Sequence, residues 1–263
     1  MIMNLCFSTL GCTERSLDEI LELCTRFGFA QLEIRGIGGV LDNRLIPDFG
    51  EDRIDKTAQR FKSAGVTPLI LGTSCSFHEK ENFENAVTEG EAAVLTAAAL
   101  GASGIRVFGN NLGKNPSEST KRVIDGISSL CKTADESGVD ILLEVHGDFN
   151  TVETLMPVVS ALKNEKRFGL IWDICHTQKT YGENWREFYN AFREHIRHVH
   201  IKDLSGDELV LPGDGEIPVK NIVSHMICDG YSGAFSLEWE KKWHPELAEI
   251  EEAIVRFKEI MQI

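Results

Sequence analysis

The sequence lacks the features that mark membrane and secreted proteins. No apolar run approaches the roughly 20 residues that a transmembrane helix needs. The N-terminal stretch MIMNLCFSTLGC has no basic lead and is too short for a secretory signal. The seven cysteines are an odd number, scattered without Cys-x-x-Cys spacing, which is typical of reduced thiols. These absences predict a cytoplasmic protein with no membrane partner.

Positive charge is also scarce. The chain has 41 acidic and 27 basic residues, a formal net charge of −14, and no local basic cluster. Such a surface repels a phosphate backbone, because like charges raise the free energy of the encounter. We therefore expect no nucleic-acid partner.

Nothing divides the 263 residues into parts, since the chain has no Pro/Ser-rich linker, low-complexity tract or shift in composition. We therefore expect one domain over 1–263. Short apolar runs alternate with segments of helical spacing, as in 17–27 and 117–137. The apolar runs predict eight strands, near 3–8, 30–35, 66–71, 104–108, 139–145, 168–173, 196–202 and 234–239.

Eight strand–helix pairs favour parallel strands joined by crossovers, and eight such strands close a barrel. The alternative is an open doubly wound sheet, but no Gly-x-Gly-x-x-Gly follows the first strand. The sequence thus predicts the α/β class, with a single (β/α)8 TIM barrel.

Polar side chains stand at the ends of the last four predicted strands. They are Glu144 and His146, Asp173 and the following His176, His200 and Lys202, and Glu238 and Glu240. The C-terminal ends of barrel strands meet on one face, and neighbouring strands are under about 5 Å apart. Three carboxylates and one imidazole (Glu144, Asp173, Glu238 and His200) cannot all lie there ionised without a cation. We therefore predict one divalent metal ion, and oxygen and nitrogen ligands suit Mn, Mg, Co or Zn.

The seventh strand, in the stretch IRHVHIKD, places His198, His200 and Lys202 on one face, because alternate residues of a strand point the same way. Polar groups on one face of an apolar strand are costly to bury unless they are satisfied. A metal bound to His200 would satisfy this face. Lys202 would then point at the substrate and His198 would lie deeper in the barrel.

Other polar residues have two interpretations. His146 and His176 are either site residues or buried histidines with local hydrogen bonds, and Glu240 is either a site residue or the surface partner of a neighbouring lysine. Glu33 and Arg35 share a face at the end of the second strand and could form an ion pair. Arg35 could instead hold an anionic or hydroxylated substrate.

Five motifs resemble the xylose isomerase-like TIM barrel superfamily: LLEVHGD, WDICHT, HVHIKD, LPGDGEIPVKNIV and FSLEWEKKWHPE. The resemblance covers essentially the whole chain and is strongest over 139–246. The superfamily includes sugar-phosphate isomerases and epimerases, ketose 3-epimerases, inosose and dehydroshikimate dehydratases, and the endonuclease IV group. It implies a divalent ion held by Glu144, Asp173, His200 and Glu238.

The resemblance also implies roles for single residues. Glu144 and Glu238 would move protons, one on each face of the substrate, and His176 would contact a substrate oxygen. The residues that we expect to bind substrate are His176, His146, Lys202, Arg35 and Glu240. The ketose epimerases carry an arginine six residues after the strand-seven histidine, where this chain has Gly206. Substrate anchoring must therefore differ, and Lys202 is one replacement.

The leading hypothesis is a metal-dependent isomerase or epimerase acting on a small carbohydrate-like molecule: a sugar, keto-sugar or polyol. The alternatives are a dehydratase acting on a keto-inositol or dehydroshikimate-like substrate, and a non-catalytic sugar-binding barrel. A nuclease is disfavoured, because strand ends three and four, LILGTS and RVFGNN, lack the histidines that a three-zinc site needs. Many members of the superfamily form dimers or tetramers, so we expect a homodimer or homotetramer, with the exposed segment 36–50 as a lid or an interface.

Overall fold

The computed structural model describes residues 3–262. Its strands are β1 Asn4–Phe7, β2 Gln31–Ile34, β3 Thr67–Ser76, β4 Gly104–Phe108, β5 Asp140–Glu144, β6 Phe168–Asp173, β7 Ile196–Ile201, β8 Asp203–Ser205, β9 Glu208–Val210 and β10 Ala234–Leu237. Eight of them form one parallel sheet in the order β1-β10-β7-β6-β5-β4-β3-β2, while β8 and β9 form a separate hairpin. Each strand of the large sheet overlaps one of the eight predicted runs.

The sheet closes on itself. Strands β1 and β2, at the two ends of the order, meet through a parallel bridge between Ser8 and Glu33. The predicted (β/α)8 barrel is therefore confirmed.

The helices that follow the strands of the large sheet are α1 Leu17–Phe27, α2 Ile54–Ala64, α3 Phe83–Leu100, α4 Pro116–Ser137, α5 Val152–Leu162, α6 Ile174–Tyr181, α7 Arg186–Phe192, α8 Val219–Cys228 and α9 Ile250–Ile260. The first of them shows how the sequence sets their bounds. Ser16 and Glu19 form a reciprocal capping box at the start of α1, and Gly28 ends it in the left-handed region at φ 68°. None of the helices in residues 3–262 is long and apolar enough to cross a membrane.

The register of the sheet sets the height of each polar residue along the barrel axis. His200 pairs with Asp173 on β6 and with Ser236 on β10. Glu144 pairs with Ile171, two residues before Asp173. Because parallel strands all end at the same face, the side chains at these ends meet above the apolar core.

Segment 36–50 is more buried than the sequence indicated. Ile37, Ile46 and Phe49 belong to the hydrophobic core, and Leu45 is the large apolar side chain of the segment that faces solvent, at 67% exposed. The expectation of an exposed segment is wrong for these three residues, since each packs its apolar side chain against the barrel. Its function as a lid or an interface stays a prediction.

The loop after β7 is organised by one carboxylate. Asp203 is buried and accepts hydrogen bonds from four backbone N–H groups, those of Leu204, Gly213, Gly215 and Ile217. A Cβ at Gly215 would clash with this carboxylate, so the PGDG turn needs glycine there. The loop that follows the His200 strand is thereby held at the rim of the barrel.

We expect Asp203→Ala to lower the free energy of unfolding by about 2–4 kcal/mol, because it leaves four backbone donors without their charged acceptor. Urea denaturation measures this as a lower midpoint. Asp52→Ala is the matched control, since the Asp52 side chain is 86% exposed, and it should change stability by less than about 0.5 kcal/mol. Equal midpoints for the two variants would contradict the role given to Asp203.

Candidate metal centre and active site

The four residues predicted as metal ligands converge on one point. Ligand atoms of Glu144, Asp173, His200 and Glu238 all lie within 4.8 Å of one another, and all four residues are buried. Asp173 also caps α6, because its Oδ1 accepts from the backbone N–H of Cys175 at 2.8 Å. This bond fixes the carboxylate and leaves Oδ2 facing the cluster.

The ring of His200 is oriented by Glu33. His200 Nε2 lies 3.1 Å from Glu33 Oε2, and His198 Nε2 lies 2.8 Å from the same oxygen. The other ring nitrogen, His200 Nδ1, is 3.3 Å from Glu238 Oε2 and 3.6 Å from Glu144 Oε1, without hydrogen-bond geometry. A carboxylate on the far nitrogen is the usual partner of a metal-binding histidine.

The suggested ion pair between Glu33 and Arg35 is wrong. Glu33 instead contacts the two histidines of β7 across the interior of the closed barrel, since β1 and β10 lie between β2 and β7 in the sheet. His198, expected deeper in the barrel, is buried beside Glu33. The hydrogen bonds among Glu33, His198 and His200 account for the second group of potential ligands in the structure.

Two buried cations accompany the four ligands. Lys202 Nζ lies 2.7 Å from Asp173 Oδ2, 2.6 Å from Glu238 Oε2 and 2.5 Å from Glu240 Oε1. Arg106 Nε lies 3.2 Å from Glu144 Oε2, and its Nη1 lies 3.1 Å from Glu238 Oε1. Glu240 thus pairs with the buried Lys202, and its alternative as a surface partner of a neighbouring lysine is wrong.

Arg106 is a residue that the sequence interpretation missed. It stands inside the β4 run GIRVF, where an arginine among apolar residues is itself the signal, since burying a charge in a strand is costly without a partner. Its guanidinium contacts both glutamates to which the resemblance assigns proton transfer.

These contacts set the protonation states of the cluster. Burial raises the pKa of the Glu144 carboxyl, but Arg106 and His200 together outweigh it and lower the pKa to about 2. Burial also works against ionised Glu238, yet His200 and Lys202 hold its pKa well below the usual value. For His200 and Lys202, burial lowers the pKa, and the surrounding carboxylates outweigh it and raise both well above their ordinary values.

The charges of this network favour a bound cation. Glu144, Asp173, Glu238 and Glu240 supply four negative charges, while Lys202 and Arg106 supply two positive ones. The carboxylates outnumber these cations, and the excess negative charge favours the binding of a cation. The buried His200 Nδ1, which faces the carboxylates of the cluster, also lacks a hydrogen-bond partner. The residues present therefore suit a metal ion of the predicted kind.

A cavity of about 220 Å³ opens beside the cluster. Its walls include all five residues expected to bind substrate, which are Arg35, His146, His176, Lys202 and Glu240. Trp243 also borders it, at 53% exposed, and was not singled out from the sequence. An indole at the mouth of a polar cavity offers an apolar face to a ligand.

The two cavity histidines are packed against each other. The rings of His146 and His176 lie 4.4 Å apart, edge to face. His146 Nδ1 is 3.0 Å from Asn110 Oδ1, and the amide nitrogen of Asn110 donates to Ser76 Oγ at 2.9 Å. Asn110 has a left-handed backbone, with φ 54°, which is uncommon outside glycine. Burial lowers the pKa of His146, so this ring is neutral at neutral pH.

Comparison with known proteins identifies the family. The family model for the xylose isomerase-like TIM barrel matches residues 18–260. The chain belongs to this family. Among its relatives, the inosose isomerase of Halalkalibacterium halodurans is 26% identical, over 98% of this chain and 94% of the relative. The fructoselysine 3-epimerase of Escherichia coli O157:H7 is 28% identical over 44% of each chain.

A solved structure of the IolI protein with a bound zinc atom superposes with a TM-score of 0.80. It is 26% identical, and the match covers 98% of this chain and 96% of that one. The two named relatives are an isomerase and an epimerase, which supports the prediction that this family member is an enzyme.

We expect Lys202→Met to destabilise the metal-free protein and to enlarge the gain in thermal stability when Mn²⁺ is added. Removing the ammonium leaves buried carboxylates unpaired, at a cost of about 3–5 kcal/mol for a broken buried ion pair. It also removes the cation that competes with a metal for Asp173 and Glu238. Differential scanning calorimetry of metal-stripped protein, with and without Mn²⁺, measures both effects.

The matched control is Lys179→Met. The side chain of Lys179 is 73% exposed and pairs with Asp207 at the surface, so this variant should respond to Mn²⁺ as the unaltered protein does. If Lys202→Met gained no more from Mn²⁺ than this control, the ammonium and the metal would not share the same carboxylates.

Proposed function

We propose that the protein is a divalent-metal-dependent isomerase or epimerase acting on a sugar, keto-sugar or polyol. The observation that carries the proposal is the pair of buried glutamates, Glu144 and Glu238, which border one small cavity and flank the unpartnered Nδ1 of His200. The names of the two reported relatives, an inosose isomerase and a fructoselysine 3-epimerase, support the same chemistry.

Glu144, Asp173, His200 and Glu238 would hold the metal, and zinc in the IolI structure supports a metal at this centre without choosing among Mn, Mg, Co and Zn. When bound, the ion would polarise a carbonyl or hydroxyl oxygen of the substrate and so acidify the neighbouring C–H bond. One of the two glutamates would abstract this proton and the other would return it.

The remaining cavity residues would orient the substrate. The Asn110 amide nitrogen donates to Ser76, so its oxygen is free to accept the Nδ1–H of His146. The other ring nitrogen, Nε2, then carries a lone pair that could accept a hydrogen bond from a substrate hydroxyl. Glu240 and His176 line the same cavity and would contact other substrate oxygens.

A dehydratase is the second candidate. It would share the proton abstraction and then expel hydroxide, which leaves as water only if a donor protonates it. The Lys202 ammonium lies in the cavity wall and is a donor of this kind. Formation of an enone, seen as ultraviolet absorbance, would favour this candidate, and isotope exchange without absorbance would favour isomerisation.

The nuclease alternative finds no support in the geometry. Among residues 3–262, two groups of side chains could hold a metal ion, and both contain His200. A three-zinc centre would need further ligands at the ends of β3 and β4. A cytoplasmic location and a homodimer or homotetramer stay predictions, the first supported by seven unpaired cysteines.

We expect Glu144→Gln and Glu238→Gln each to slow proton exchange by at least about 100-fold, the usual contribution of a general base. The measurement is incorporation of solvent deuterium into a panel of keto-sugars and keto-inositols, with protein saturated in Mn²⁺ and the metal content of each variant determined. Glu246→Gln is the control, because the Glu246 side chain is 71% exposed, and it should exchange at the unaltered rate.

Either of two results would overturn the proposal. One is absence of exchange into every compound of the panel by the metal-loaded, unaltered protein. The other is unchanged exchange in both Gln variants, which would show that the two glutamates do not move the proton.

A further inference from the structure

The walls of the cavity contain three cations, of which two have carboxylate partners. Lys202 and Arg106 contact the glutamates and the aspartate of the cluster at 3.2 Å or less. Arg35 is 6% exposed and has only neutral partners. Its Nη1 donates to the backbone oxygen of Leu41 at 3.2 Å, and its Nη2 donates to Ser74 Oγ at 2.9 Å. Within residues 3–262, no carboxylate oxygen forms an ion pair with Arg35.

The carboxylates nearest in space or sequence are already engaged. Glu33, two residues earlier on the same strand face, accepts from both histidines of β7. Glu144 and Glu238 contact Arg106, and Glu89 accepts from the backbone N–H of Ser74. Arg35 therefore carries the positive charge in the cavity wall that the protein leaves without an ion-pair partner.

A buried cation without a counter-ion is expensive, because desolvation is not repaid by a nearby opposite charge. Burial, together with the charge of Arg106, lowers the pKa of Arg35 to about 10. The guanidinium is therefore still protonated at neutral pH. It has five N–H donors, of which Leu41 and Ser74 use two, and it borders the cavity. The unused donors are available to a ligand.

We propose that Arg35 binds a carboxylate of the substrate, so that the substrate class is the sugar acids or keto-acid sugars rather than neutral sugars. This inference rests on the proposed function, since it takes the same cavity as the active site. Arg35 offers one unmatched positive charge, which pairs with the single negative charge of a carboxylate. A phosphate monoester, at −1.5 to −2, would bring more negative charge than Arg35 can match.

A purely structural role for Arg35 makes a different prediction. Its bonds to Leu41 and Ser74 connect segment 36–50 with β3, and a neutral amide could make similar bonds. If they were its whole role, removal of the charge would affect stability and leave ligand preference unchanged. A variant that keeps a polar side chain but loses the charge therefore separates the two roles.

The test compares a keto-sugar with its acid, D-fructose against D-fructuronate, by titration calorimetry on Mn²⁺-loaded full-length protein. We expect the unaltered protein to bind the acid at least about 10-fold more tightly, as a charge-assisted hydrogen bond would give. Arg35→Gln should reduce this preference to within about 2-fold, because the acid loses its charged partner. Arg35→Lys should retain part of the preference, since it restores the charge without the planar donors.

The control is Arg193→Gln, whose side chain is 49% exposed and pairs with Asp229 at the surface. It should keep the full preference for the acid. Preference that persists unchanged in Arg35→Gln would show that the metal, and not Arg35, attracts the carboxylate, and would overturn the inference. Equal binding of sugar and acid by the unaltered protein would do the same. Tighter binding of fructose 6-phosphate than of the acid would show that the site prefers a phosphate to a carboxylate, and would also overturn the inference.

The inference and the proposed function can fail separately. Deuterium exchange into neutral keto-sugars, without a preference for acids, would refute the proposed sugar-acid substrate class and still support the proposed isomerase activity. Selective binding of acids without any deuterium exchange would support the anion site at Arg35 and refute the proposed isomerase activity.

Discussion

The structure depends on the neutralisation of carboxylates that are buried at the mouth of the barrel. Glu144, Asp173 and Glu238 are almost completely inaccessible to water, and three ionised groups at such short distances repel one another strongly. Lys202 and Arg106 balance part of this charge through direct contacts. The negative charge left over favours a bound cation, and the other features of the site follow from this requirement.

The barrel supplies the geometry that makes such crowding useful. Because the strands are parallel and in register, residues separated by one strand–helix unit in sequence meet at the same level. Helix caps and loop carboxylates then fix the details: Asp173 caps α6, and Asp203 holds the loop after β7. The proposed chemistry needs two bases at fixed positions, and rigid strand ends provide them better than loops do.

The barrel and the four converging residues could be predicted from the sequence, because the barrel depends on the periodicity of apolar residues and the site on the spacing of polar residues at the strand ends. It could not predict Glu33 as the partner of His200, since that contact joins strands far apart in sequence and depends on the closure of the barrel. Arg106 and Trp243 were missed for a similar reason, because their roles come from the cavity they face. The sequence left two interpretations of Glu240, because its contact with Lys202 joins residues that are distant along the chain.

The measurement that tests the central claim most directly is a calorimetric titration of Mn²⁺ into metal-stripped protein, at pH 7, in two buffers of different ionisation enthalpy. We expect one ion per chain and the release of about one proton, because His200, whose pKa is raised well above its ordinary value, is protonated before binding and must free its Nδ1. Affinity should therefore rise with pH. Binding of about three Mn²⁺ ions per chain, or of none, would contradict the account.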